Sequence, residues 1–123
     1  MEFSRVKEEI KRIGFTETDA DSDNLFEGTV LKDKVGTVLS TLQGFFGEPA
    51  WPSKNRLTLR MEKLIKQYGG IMAGQTLFLE NQENEVLFAM LWPWKDGKHT
   101  TVKIIQNSLE PLANTGLNDI EAF

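Results

Sequence analysis

The chain has 123 residues, 40% of them apolar and 26% charged, with a formal net charge of −4 and no cysteine. That length fits a single domain spanning residues 1–123 with one real core, and the lack of cysteine excludes disulfides, thiolate metal sites and cysteine nucleophiles. The acidic balance argues against a nucleic-acid coat or an anionic-membrane binder, both of which usually carry a positive field, although a local basic patch stays compatible with it.

No apolar run approaches the roughly 20 residues of a membrane helix. The segment Met1–Ile13 is charged throughout, without the apolar stretch of a secretory leader. A cytoplasmic location is therefore expected.

Phe3, Val6, Ile10 and Ile13 recur at helical spacing among charged neighbours. This predicts an amphipathic helix, stopped by a left-handed cap at Gly14 with Phe15 folding back on the last turn. Residues 16–24 carry Glu17, Asp19, Asp21 and Asp23 and read as a loop. Leu25–Leu31 reads as a short strand, with Gly28 marking a weak point or a bulge.

Asp33 is placed to cap a second helix carrying Val35, Val38, Leu39, Leu42, Phe45 and Phe46, ended by Gly47 and Pro49. Gly36, Ser40 and Gly44 form a small-residue stripe on it. Glycine inside a helix costs about 1 kcal/mol against alanine, so the stripe suggests close approach of another backbone.

Trp51-Pro52 falls in the loop that follows. Arg56–Tyr68 alternates like a strand at Leu57, Leu59 and Met61, yet Leu57, Met61, Leu64, Ile65 and Tyr68 share one helical face. The length of the pattern and the Gly69-Gly70 stop favour a helix.

Thr76–Glu80 and Val86–Trp92 then read as a hairpin. Asp96-Gly97 predicts a type I′ turn into a returning strand, Thr100–Ile105. Ser108–Phe123 fits either short helical turns covering the sheet or a loose end.

Strands grouped after helices predict an α+β fold. The expected form is an antiparallel sheet of three to four strands, a C-terminal meander, with the helices packed on one face. Its core is expected to hold Phe3, Val6, Ile10, Ile13, Val35, Val38, Leu39, Leu42, Phe46, Leu64, Leu77, Leu79, Leu87, Val102 and Ile104. Lys95, Lys98 and Lys103 are expected near a sheet edge, where they would discourage edge-to-edge pairing.

Three groups of residues carry possible chemistry. Asp19, Asp21 and Asp23 have the spacing of the first calcium ligands of an EF-hand. The sixth and twelfth positions hold Asn24 and Val30 instead of glycine and glutamate, so a solvated acidic loop is the plainer reading. Lys54, Arg56, Arg60, Lys63 and Lys66 cluster with Glu62 as the single acid. On a helix, Arg56, Arg60 and Lys63 would line one flank, suited to phosphates or to an acidic protein surface, where an ordinary solvated face is the commoner case.

Trp51, Pro52 and Trp94 are the aromatic-proline candidates for partner contact, since exposed tryptophan is enriched at binding hot spots. Trp92, in phase with Phe88 and Met90, belongs instead to a core face.

Catalysis has little support. His99 is the single histidine, no nucleophile elbow or phosphate-binding glycine loop is present, and one histidine without cysteines does not make a zinc site. No cofactor or metal is expected. The leading expectation is a small protein-binding or adaptor domain using Trp51, Pro52 and Trp94. The alternatives are a nucleic-acid-associated protein using Arg56–Lys66, and a small-ligand binder or enzyme with a pocket between sheet and helices.

Overall fold

A computed structural model describes residues 2–51, 59–69, 74–81 and 85–108. It contains α1 (Phe3–Lys11), β1 (Glu17–Asp21), β2 (Leu25–Leu31), α2 (Lys32–Phe46), α3 (Leu59–Lys66), β3 (Thr76–Asn81), β4 (Glu85–Pro93) and β5 (His99–Ser108). The α+β class holds. The sheet is antiparallel throughout, with five strands in the order β1-β2-β5-β4-β3. The expected hairpin and returning strand form the β3-β4-β5 meander, which β2 and β1 extend on the other side of β5.

β1 lies where a loop was expected. Its residues, Glu17–Asp21, have no apolar alternation because the strand sits at the sheet edge with almost every side chain in water. Backbone pairing to β2 and two lysines from α1 hold it: Lys7 Nζ and Lys11 Nζ meet the Asp21 carboxylate at 2.8 and 2.7 Å. These hydrogen bonds, the one from Lys11 first, lower the Asp21 pKa, and the same partner raises that of Lys11. Asp21 is thus an ion-pair partner, and no metal-binding cluster of acids or histidine occurs among the described residues.

Both faces of the sheet are covered, because β4 is buried on both sides from Val86 to Leu91. Leu87, Ala89 and Leu91 point with Phe26, Val30, Phe78, Val102 and Ile104 toward Phe3, Val6 and Ile10 of α1 and Val38 and Leu42 of α2. The alternate residues Val86, Phe88 and Met90 point with Leu77 and Ile105 toward Leu64 and Ile65 of α3. The helices therefore divide between the faces, with α3 opposite α1 and α2. Leu64, Leu77 and Leu79, expected in the same core as Phe3, belong to the α3 side. A strand alternates sides at every residue, so a continuous apolar run such as 86–91 needs cover on both.

Two local expectations change. α2 begins at Lys32 with Leu31 as its N-cap, and no side chain caps it, so Asp33 lies inside the first turn. Gly36 and Gly44 face open space, since a Cβ on either would meet nothing within 4 Å. Close backbone approach occurs instead at Gly28 of β2, where a Cβ would lie 2.6 Å from the Phe15 ring and 2.9 Å from the Glu17 carbonyl oxygen. Phe15 covers Gly28 and meets Phe26 edge-on at 5.0 Å.

Candidate functional site: an aromatic platform at one end of the sheet

The α3 side of the sheet can be followed in rows along β2, β5 and β4. Leu25, Ile105 and Phe88 make one row; Glu27, Lys103 and Met90 the next; Thr29, Thr101 and Trp92 a third. Leu31 opposite His99 ends the series, with Trp94 following β4. α3 packs on the apolar end of this series. At the other end, Leu31 and Trp94 are each 43% exposed, the large apolar side chains left open to solvent among the described residues.

The middle of the face is locked. Lys103 Nζ sits 4.1 Å above the Trp92 ring, donates to the Tyr68 carbonyl at 3.1 Å, and lies 3.9 Å from Glu27 Oε1. Asn107 donates to the Tyr68 hydroxyl at 3.0 Å. Gly69, at φ +111°, lets its backbone approach the Trp92 ring, where a Cβ would sit 2.0 Å from the indole edge. Trp92 is half-buried against the α3-side core, as its phase with Phe88 and Met90 implies.

At the open end, the β4-β5 loop builds a fixed stack. The Trp94 N–H donates to the His99 carbonyl at 2.8 Å, and the Gly97 N–H donates to the Trp94 carbonyl at 3.2 Å. Gly97, at φ +69°, is the loop's left-handed residue; Asp96 is not left-handed, so the expected type I′ turn does not form. The longer loop frees Asp96 to act as an organiser. Its Oδ1 accepts from the backbone N–H groups of Lys98 at 2.8 Å and His99 at 3.1 Å, and its Oδ2 lies 2.6 Å from His99 Nδ1. The Lys98 amide first, then the His99 ring, hold the Asp96 carboxyl below its ordinary range.

His99 in turn stacks on Trp94, with centroids 4.8 Å apart and ring planes tilted by 33°. The Trp94 Nε1–H donates to Thr101 Oγ1 at 2.7 Å. The tryptophan thus has its polar handle engaged and one ring face supported. These two contacts fix its rotamer, and a side chain already fixed has little entropy left to lose on contact. Asp96 orients the His99 imidazole, and among the described residues no serine or threonine hydroxyl is hydrogen-bonded to the ring.

The other sequence candidates divide. Trp51 is half-buried, packed on the α3-side core and bridged to Leu77, so it is not a freely projecting ring. Pro52 and Arg56 lie outside the described residues, as does the side chain of Arg60. Lys63 is exposed on α3. Of the basic flank expected from Arg56, Arg60 and Lys63, the Lys63 side chain is the part that falls among the described residues.

An open cleft between the start of α1 and the end of α2 is lined by Glu2, Arg5, Gly44 and Phe45, with Arg5 over the Phe45 ring at 6.0 Å. Sequence reasoning missed Leu31, because a strand-end leucine carries no signal of exposure. It also missed the Asp96-His99 link, although Asp-x-x-His across a predicted turn could have suggested it.

Comparisons with protein-family models, with curated proteins and with solved structures found no match.

Proposed function

We propose that this chain is a protein-binding domain whose contact surface is the platform of Trp94, His99 and Leu31. One observation carries the reading: a solvent-facing tryptophan, fixed by a hydrogen bond and a stacked imidazole, stands at the sheet end where, across β5 and His99, an exposed leucine ends β2. Rigid aromatic anchors beside apolar neighbours are the usual centre of binding hot spots. Trp51 and Pro52 belong to this reading as secondary candidates. No helix among the described residues is long and apolar enough to cross a membrane. A cytoplasmic setting belongs to the same proposal.

The test compares wild type with Trp94→Ala in tagged pull-downs from source lysate, each with and without nuclease. The reading expects a discrete protein partner that survives nuclease and is lost in the variant. Partners retained equally by Trp94→Ala would refute the platform as the contact surface. Partners lost on nuclease treatment would favour the basic segment around Lys63 instead.

A further inference from the structure

Four unpaired lysines stand at the same end of the sheet as the platform. Lys32 and Lys34 follow Leu31 at the start of α2, and Lys95 and Lys98 occupy the β4-β5 loop. The two groups meet, because the Lys32 N–H donates to the Lys98 carbonyl at 2.8 Å. All four side chains are exposed, and none makes an ion pair among the described residues. The nearby acids in sequence are Asp33 and Asp96, and Asp96 is committed to His99. A chain of net charge −4 thus places four unpaired cations at the sheet end that carries its exposed tryptophan and leucine.

From this we infer that the platform docks an acidic segment of a partner protein, one that carries leucine or an aromatic residue between its carboxylates. The inference rests on the protein-binding reading above and adds the chemistry of the partner. Apolar side chains of the segment would seat on Trp94 and Leu31, while its carboxylates meet Lys32, Lys34, Lys95 and Lys98. Charges on the rim raise the association rate and exclude basic competitors, and the fixed aromatic centre slows dissociation. Nucleic acid and anionic lipid are the weaker matches, because the rest of the acidic chain repels an extended polyanion while a short peptide meets only the local patch.

The experiment is fluorescence anisotropy on the full chain, with a labelled peptide of repeated Asp-Leu-Glu-Phe as the probe. One control peptide replaces the acids by lysine and another replaces leucine and phenylalanine by serine. The variants are Trp94→Ala and the combined Lys32→Glu, Lys34→Glu, Lys95→Glu and Lys98→Glu, with folding checked by circular dichroism. Phosphatidylserine vesicles and oligothymidylate are run beside them, and sedimentation reports self-association.

Binding of the acidic-apolar probe alone, weakened about tenfold or more by either variant, is the expected result. It should also weaken as salt rises from about 0.05 to about 0.5 M. The inference is overturned if the probe does not bind, if the lysine control binds equally, or if charge reversal has no effect. Tighter binding of vesicles or oligothymidylate through the same residues also overturns it, as does a dimer that Trp94→Ala dissolves. If the probe fails while Trp94→Ala still loses the partner in pull-downs, the partner chemistry is refuted and the contact surface stands. If both fail, the platform is not a contact surface.

Discussion

Replacing Gly28 with alanine sets two opposing effects against each other, and the structure decides which wins. Glycine inside a strand costs roughly 0.5–1 kcal/mol relative to alanine through chain entropy, so the substitution gains that much if the site has room. It has none. The new Cβ would lie 2.6 Å from Phe15 Cδ2 and 2.9 Å from the Glu17 carbonyl oxygen. The Phe15 ring has little freedom to yield because it is wedged edge-on against Phe26. The Glu17 oxygen is backbone, and moving it shifts β1. Overpacking of this kind costs about 1–3 kcal/mol, so the net expectation is destabilisation by about 1–2 kcal/mol.

Gly36→Ala is the matched control, since a Cβ there meets nothing within 4 Å. It should stabilise by up to about 1 kcal/mol through helix propensity and reduced chain entropy. Urea unfolding of the two variants beside wild type reads both effects as opposite shifts in midpoint at unchanged slope. A Gly28→Ala protein as stable as wild type would refute the close approach of Phe15 and β1 to that strand.

Three further outcomes follow from the contacts described. Ile65→Ala should destabilise by about 2–5 kcal/mol in the same assay, because Ile65 is fully buried between α3 and the sheet; a loss below about 0.5 kcal/mol would mean that this face holds no second core. Thr101→Val removes the acceptor of the Trp94 indole with little change in volume. It should red-shift tryptophan emission or raise its quenching by acrylamide while costing about 1 kcal/mol of stability, and unchanged fluorescence would deny the fixed ring.

Asp21 and Asp96 have folded pKa values below the ordinary 3.8. Their stabilisation is present above that value and is lost as pH falls through the lower folded values. Lys11, raised above 10.5, contributes fully below that pH and loses its contribution as pH rises through the raised value. Asp21→Asn should therefore flatten both the acid and the alkaline limbs of the stability profile, and an unchanged profile would remove the α1-β1 staple.

Local pattern determined the identity of most elements. Phe3, Val6 and Ile10 repeat every three to four residues, and only a helix puts such residues on one side. Leu64, Ile65 and Tyr68 decided the ambiguous segment for the same reason, since α3 is a helix over its described part. β1 was not legible, because an edge strand with both faces in water needs no alternation; it exists through pairing and the Lys7-Asp21 and Lys11-Asp21 contacts.

The candidate site divides in the same way. Trp94 stood out in the sequence as a tryptophan beyond a proline and before a turn, and that turn leaves it exposed. Trp51 carries the same residue types in a loop, yet it is half-buried by its bridge to Leu77 and its contact with the α3-side core. Which tryptophan faces water depends on what covers it from distant parts of the chain. Periodicity says which side chains share a face, whereas only the packed sheet and helices say which faces are closed.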